Sequence, residues 1–391
     1  MKSKSIHGNS ISEIEVALSE IRSDGFNPVL AVVFVSVKQD IQAISDLFIA
    51  RDIDCIGATS CNEFTNGHQS EGGAVALLFE VNKAHYKLLF EDIGHRSIYD
   101  AAAGLAKNAL DAFSNPALIL LSTSIIKETG SVLEGETIIR ALEKNLGSET
   151  NIFGGMAGDD LTFQGTQVFI NGRVGEYAIA AIVWNEDFIR MYGVALSGWK
   201  PIGVTKTITK SKNNLIYEID SEPALKTYLR YLGEDADNID DKIKFFESIG
   251  MHYPFQLLRS GREPMMCSPM GYNKDEDALV MESNIEQGSR FRFSTPPDFD
   301  IAEAVIQKAK EIRALNDFDG DAVLIFSCAS RLYSLGPIAE QENNGIAQVW
   351  NAPMAGYYSY GEFGRAINGN HEFHSTTCSW VALKENEGLV F

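Results

Sequence analysis

Basic residues are scarce in this sequence: 33 Lys and Arg stand against 53 Asp and Glu, for a formal charge of −20. A nucleic-acid binder normally carries a basic patch to neutralise phosphates. Here the short basic run from Lys206 to Lys212 alternates with Thr and Ser, as on the exposed face of a strand. No uninterrupted apolar stretch approaches the roughly 20 residues of a membrane-spanning helix. Met1 to Ser10 is polar and has no apolar core of signal-peptide length. Five scattered cysteines (Cys55, Cys61, Cys267, Cys328 and Cys378) form no Cys-x-x-Cys pair. Such an odd set reads as buried thiols in a reducing compartment, so a cytoplasmic location is expected. There is also no Gly-x-Ser-x-Gly elbow, no phosphate-binding P-loop and no metal-spaced His/Cys cluster.

What is present is an ordinary globular composition over 391 residues, long enough for two or three domains. Apolar residues at Ile11, Ile14, Leu18 and Ile21 predict an amphipathic helix, ended by Asp24-Gly25 and Asn27-Pro28. Leu30 to Val35 is a continuous apolar run, as in a strand buried on both faces. Ile41 to Ala50 reads as helix, and Asp54 to Ala58 as strand. Ala74 to Phe79 and Tyr86 to Phe90 are further strands, before a helix from Ile98 to Phe113. The order then restarts with an apolar run at Leu118 to Leu121, a helix over Val132 to Leu146, and a strand entering the glycine-rich loop Asn151 to Asp160. Asn171-Gly172 predicts a hairpin turn. From Ile202 to Ile219 the chain is β-rich, and Glu222-Pro223 opens a helix through Leu232. Glu234 to Asp241 reads as an acidic loop and Lys242 to Ile249 as a short helix. A third cycle runs from the helix Ile301 to Leu315, through the strand Val323 to Phe326, to a last strand ending near Leu383.

One arrangement therefore occurs three times. An apolar strand ends in serine (Ser36, Ser122, Ser327), and a second strand reaches a glycine with an acid six residues later. The pairs are Gly57 with Glu63, Gly154 with Asp160, and Gly356 with Glu362. Strands alternating with helices predict an α/β organisation. Paired strands after each glycine loop predict mixed α+β character: mixed sheets with flanking helices, internally repeated units and two subdomains. Ligand sites in such sheets form where loops leave strand ends. The three loops are thus expected to line one cleft or two related ones.

At these residues the sequence resembles the FIST family, a sensory module with N-terminal and C-terminal regions, over about Asn27 to Lys384. Ile56-Gly-Ala-Thr-Ser-Cys-Asn-Glu-Phe64 is similar to the family's Gly-Cys-Ser-Thr-Ala-Gly-Glu-Ile. Phe153-Gly-Gly-Met-Ala-Gly-Asp-Asp160 is similar to Gly-Gly-Ser-Ala-Gly-Asp-Asp. Ser327-Cys-Ala-Ser-Arg331 resembles a Cys-x-Gly-Arg element. Gly356-Tyr-Tyr-Ser-Tyr-Gly-Glu-Phe363 matches Gly-Phe-Tyr-Thr-Tyr-Gly-Glu-Ile most specifically, and Phe373-His-Ser-Thr-Thr377 resembles Phe-His-Asn-x-Thr. The resemblance implies a lead-in over residues 1–26, an N-terminal domain over 27–208 and a C-terminal domain over 209–391. It implies sensing of a small ligand, an amino acid or related metabolite. Output would pass through a separate partner: a histidine kinase, a cyclic-dinucleotide enzyme or a chemotaxis-type protein. Neither a nucleic acid nor membrane insertion is expected.

An amino-acid-like ligand needs acceptors for its ammonium, for which Glu63, Glu362, Asp159 and Asp160 are candidates. Its carboxylate needs donors such as Arg331 and the amides from Gly155 through Met156 to Gly158. Tyr357, Tyr358 and Tyr360 would wall the pocket, with Thr59, Ser60, Cys328, His374 and Thr377 completing the candidate set. No cofactor is predicted. The alternative, a haem-binding nitric oxide sensor, would take its axial ligand from His68 or His374. A second alternative is an enzyme using Cys328, whose thiol lies three residues before the cation of Arg331.

Overall fold

The structure, a computed structural model, describes residues 1–234, 245–246, 249–316, 318–367 and 369–386. Packing divides the chain into two compact units. The first comprises Met1–Leu196, Asp300–Phe373 and Thr377–Phe391; the second comprises Ser197–Phe299 and His374–Thr376. This division does not follow the linear boundary expected at 208/209. The expected acidic loop and helix over 234–249 fall largely outside the described residues. Among the described residues, no helix is long and apolar enough to cross a membrane.

The first unit is a threefold repeat. Its first copy runs β1 (Lys2–Gly8), α1 (Ile11–Ser23), β2 (Leu30–Val35), α2 (Ile41–Ile49), β3 (Asp54–Thr59), the short hairpin β4 (Glu63–Thr65) and β5 (His68–Ser70), and β6 (Ala74–Glu80). Residues 1–26, expected as a helical lead-in, hold a strand as well as a helix. The second copy repeats the order with β7 (Tyr86–Asp92), α3 (Ile98–Ala112), β8 (Pro116–Ser122), α4 (Gly135–Leu146), β9 (Ile152–Met156), the hairpin β10 (Val168–Ile170) and β11 (Arg173–Gly175), and β12 (Ala178–Asn185). The third copy opens with β13 (Ile189–Leu196).

The chain then builds the second unit. It contains β14 (Lys200–Lys212), β15 (Leu215–Ile219), β16 (Glu222–Pro223), α5 (Ala224–Leu232), β17 (Phe255–Leu257), β18 (Met265–Cys267), β19 (Pro269–Asn273), β20 (Ala278–Met281) and β21 (Arg290–Thr295). Its sheet order is β18-β17-β21-β14-β15-β20-β19. Because β18 and β19 are separated only by Ser268, the two ends of this order belong to one run of chain, and β16 pairs with β15 outside it. Tyr228 on α5 stacks on Phe246 and packs with Phe255 and Phe293 in the core of this unit.

The third copy resumes with α6 (Ile301–Asn316), β22 (Ala322–Cys328), α7 (Ala329–Leu335), α8 (Pro337–Trp350), β23 (Met354–Ser359), the hairpin β24 (Glu362–Arg365) and β25 (His371–His374), and β26 (Cys378–Glu385). The break between α7 and α8 falls at Gly336, whose φ of +54° suits glycine, followed by Pro337 in the first turn of α8. Local capping sets helix starts elsewhere: Ser10, Asp40 and Ser97 accept from the amides of Glu13, Ala43 and Asp100.

The hairpins are exchanged cyclically. The three six-stranded sheets have orders β1-β6-β2-β3-β10-β11, β7-β12-β8-β9-β24-β25 and β13-β26-β22-β23-β4-β5. Each copy thus lends its hairpin to the sheet of another: the first to the third, the third to the second, the second to the first. At each exchange a glycine faces a phenylalanine in register: Gly57 with Phe169, Gly154 with Phe363, and Gly356 with Phe64. In the parallel direction the same glycines pair with Val33, Leu120 and Ile325. By this register Ser122 and Ser327 are equivalent, two residues beyond the paired position, whereas Ser36 lies three beyond. It corresponds instead to Thr123 and Cys328. Inner-facing residues of all three sheets share one core that includes Phe34, Ile119, Phe153, Phe326 and Tyr357. Each outer face is covered by its own helices.

The glycines are required by distance. A Cβ on Gly57 would lie 2.2 Å from Val33 O, on Gly154 1.8 Å from Leu120 O, and on Gly356 2.4 Å from Ile325 O. These neighbours are backbone and cannot rotate away. Gly57→Ala and Gly356→Ala are each expected to destabilise the first unit by about 2–4 kcal/mol, at or above the usual range for overpacking. Gly67→Ala, at a turn with nothing within 4 Å of its Cβ, should cost about 1 kcal/mol from its positive φ alone. Urea denaturation followed by tryptophan fluorescence reads this; equal midpoints for all three variants would refute the packing role.

Candidate functional site

Three loops, one from each copy, meet beyond the ends of β3, β9 and β23 and are joined through their backbones. Gly158 N donates to Thr59 O (2.8 Å), Asp160 N to Ser60 O (3.0 Å), and Met156 N to Gly361 O (2.8 Å). Tyr360 N donates to Met156 O (3.2 Å), Cys61 N to Tyr358 O (2.9 Å), and Tyr358 N to Asn62 O (3.1 Å). Gly158 permits the contact, since its Cβ would lie 2.8 Å from Cys61 N. Thr59 Oγ1 accepts from Gln167 N at 3.0 Å and ties the second copy to the first. The expected convergence of the loops is therefore present, as a hydrogen-bonded knot whose members are mostly buried. The amides of Met156, Ala157 and Gly158, considered as donors to a ligand carboxylate, are engaged by protein carbonyls.

The three acids differ in their surroundings. Glu63 is fully buried; it accepts from Ser60 Oγ through Oε1 and from Ser70 Oγ through Oε2 at 2.7 Å. Glu362, also fully buried, accepts from Ser359 Oγ (2.7 Å) and from Thr377 N (3.1 Å) and Oγ1 (2.8 Å). In both loops the donor serine stands three residues before the acid. In the second copy that place is Ala157, which has no hydroxyl. Asp160 instead accepts on Oδ2 from Ser36 Oγ of the first copy (2.7 Å), with Lys38 Nζ at 3.4 Å. Its Oδ1 is buried without a hydrogen-bond partner. Only 8% of the Asp160 side chain is exposed, against 58% for Lys38.

The other candidates have identifiable partners. Asp159 is fully buried and organises the segment after it, accepting from Thr162 Oγ1 (2.9 Å), Phe163 N (3.1 Å), Gln164 N (2.7 Å), Gly165 N (3.1 Å) and Tyr360 Oη. These bonds hold Asp160, Leu161 and Phe163 in left-handed backbone, with φ of 53°, 60° and 51°, a conformation costing non-glycine residues about 1–3 kcal/mol each. Phe163, partly exposed, stacks on Tyr360 at 5.2 Å. Arg331 is fully buried and pairs with Glu342; burial opposes its charge, and the Glu342 carboxylate more than offsets this, leaving its pKa raised. Cys328 is buried and accepts from Ser330 Oγ at 3.1 Å. Tyr358 Oη donates to Gln69 Oε1 (3.0 Å). Tyr357 is buried between Phe34 and Phe326, its hydroxyl unpartnered; a Cβ on Gly155 would lie 2.8 Å from it. His68 stacks on His7 at 3.7 Å. His374 falls in the second unit, while Thr377 belongs to the first. Among the described residues, no group of three or more His, Cys, Asp or Glu side chains could hold a metal ion.

Sequence reasoning did not single out Lys38, Ser70, Gln69 or Glu342 as site residues. The Ser-x-x-Glu spacing at Ser60 and Ser359 was a usable signal, and the alanine at 157 was its exception. The partnership of Ser36 with Asp160, 124 residues apart in sequence, had no local signal.

The fold and these loops define a repeated α/β protein whose distinctive polar groups are buried acids in glycine loops. Comparison with known proteins places it further. The family model of the FIST N domain matches residues 29–222, and that of the FIST C domain matches residues 224–365. The chain belongs to the FIST family, whose domains are sensory domains of signalling proteins. It is also 26% identical over 195 residues to an uncharacterised protein of Methanocaldococcus jannaschii; the match spans 46% of this chain and about a third (35%) of that relative.

Burial pushes the Glu63 carboxyl up to about 7, against the lowering effect of the Ser60 and Ser70 hydroxyls, and the nearby charge of Asp160 adds to the rise. The folded protein therefore binds a proton at Glu63 that the unfolded chain, with an ordinary carboxyl near 4.3, releases. Between about pH 4.5 and 7 this contribution to stability falls as pH rises. Glu63→Gln, which keeps a neutral side chain at every pH, should reduce the loss of thermal stability between pH 5 and pH 8. An unchanged pH dependence of the unfolding midpoint would show that Glu63 is ionised throughout.

Proposed function

We propose that this chain is a cytoplasmic, non-enzymatic sensor of a small ammonium-bearing metabolite, an amino acid or a close relative, with Asp160 as the anchor for the ammonium. A separate partner carries the signal: a histidine kinase, a cyclic-dinucleotide enzyme or a chemotaxis-type protein. The observation that carries this reading is the break in the threefold pattern at Asp160. A carboxylate can accept about four hydrogen bonds. Glu63 and Glu362 are each closed by a serine of their own loop, whereas Asp160 has one buried oxygen without a donor and, on the other, Ser36 and a single exposed ammonium. An unmet buried acceptor costs about 1–3 kcal/mol, so a ligand ammonium that enters at the edge held by Lys38, with the carboxylate turning to bring Oδ1 within its reach, gains free energy from a deficit already present. Tyr333 is half-exposed, and its hydroxyl is pushed up by burial first, with smaller contributions from Cys61, Glu71 and Asp160.

Binding to the native state alone raises the unfolding midpoint. In a thermal-shift screen of amino acids and related amines, at least one compound is expected to stabilise the wild-type protein, and Asp160→Asn is expected to lose about 2 kcal/mol of its binding, the scale of a charge-assisted hydrogen bond. A stabilising compound whose effect is undiminished in Asp160→Asn would remove Asp160 from the site. A flat response across the panel would favour a purely protein-binding role.

A further inference from the structure

The geometry points to Lys38 as the residue that makes the Asp160 site select zwitterions, molecules carrying a carboxylate beside the ammonium, over plain amines; this rests on the reading of Asp160 as the ammonium anchor. Lys38 follows β2 in a tight turn, where its amide donates to Ser36 Oγ at 3.1 Å while that same hydroxyl donates to Asp160 Oδ2. Its backbone is thereby fixed beside the acid. Its side chain is not: it lies mostly in solvent, over Gly72, where an added methyl would come within 3.3 Å of its Cδ. The ammonium therefore ends a movable stem that already occupies the exposed edge of Asp160, as a protein-borne stand-in for a ligand ammonium.

A ligand ammonium that takes this edge displaces Lys38. With a plain amine, two cations are then left beside one carboxylate, and their repulsion opposes binding. With a zwitterion, the displaced Lys38 meets the ligand's own carboxylate, and one exposed ion pair is replaced by two. Glu71 precedes Gly72, over which the Lys38 stem lies, and Glu63 also lies near Asp160 but is buried and closed by Ser60 and Ser70. Were Lys38 to swing onto Glu71 instead, amines and zwitterions would bind alike, so the two outcomes are distinguishable.

The test uses matched probes on the full chain by isothermal titration: L-alanine with ethylamine, L-leucine with 3-methylbutylamine, and L-phenylalanine with phenethylamine. For whichever pair binds, the wild type is expected to favour the amino acid by about tenfold or more, the effect of one charge-assisted contact. Lys38→Met should abolish this preference by weakening the amino acid and strengthening the amine, and Lys38→Arg should retain it. Lys38→Arg should keep the wild-type unfolding midpoint in the absence of probe, and Lys38→Met, which removes the cation beside the nearly buried Asp160, should lower it only modestly because Lys38 is itself exposed. A preference unchanged in Lys38→Met, or no preference in the wild type, overturns the assignment to Lys38 while leaving Asp160 as an anchor. Binding of a probe with undiminished affinity in Asp160→Asn, or no binding by any probe, overturns the anchor and this inference with it.

Discussion

The approach of backbone to backbone at Gly57, Gly154 and Gly356 is the constraint on which the rest of the first unit depends. Each glycine sits between a parallel neighbour on one side and a strand borrowed from another copy on the other. A side chain there would strike a carbonyl on the parallel neighbour. The borrowed strand in turn places a phenylalanine opposite the missing side chain, and Phe169, Phe363 and Phe64 each join the outer core of the sheet that receives them. Packing thus ties every copy to another, so that none of the three sheets is complete without a strand from elsewhere.

The same exchange brings the acids together. The residue that begins each borrowed hairpin in the first and third copies is the acid itself, Glu63 or Glu362, so it enters the neighbouring sheet already held by the serine three residues earlier. In the second copy the loop between acid and hairpin is longer, and Asp159 folds it by accepting from a run of following amides. With Ala157 in the serine's place, Asp160 reaches across to Ser36. Two acids are therefore internal to the knot, and the third is left at its edge beside a solvent-exposed lysine. A threefold pattern broken at one position yields one polar site that differs from its two structural counterparts.

Much of this architecture was legible in local sequence. Continuous apolar runs such as Leu30 to Val35 identified strands buried on both faces, and all six of those residues are buried. Asn171-Gly172 identified a hairpin, formed by Ile170 pairing with Arg173. The strand Lys2–Gly8 was missed because it is polar and only partly buried, with little alternation to mark it. The three serine-ended strands were aligned one residue out of register in the first copy, since the word pattern matched Ser36 with Ser122 whereas hydrogen-bond pairing matches it with Thr123.

By itself, the sequence determined the elements, their threefold order and the six-residue spacing from glycine to acid, because these follow from hydrophobic period, turn chemistry and steric limits acting over a few residues. Tertiary structure alone decided which copy completes which sheet, that the segment inserted between β13 and α6 forms a separate unit, and which of three similar acids keeps one oxygen without a donor. Those outcomes depend on pairings such as Ser36 with Asp160 and Glu63 with Tyr357. Contacts between residues more than a hundred positions apart leave no periodicity for a local pattern to register.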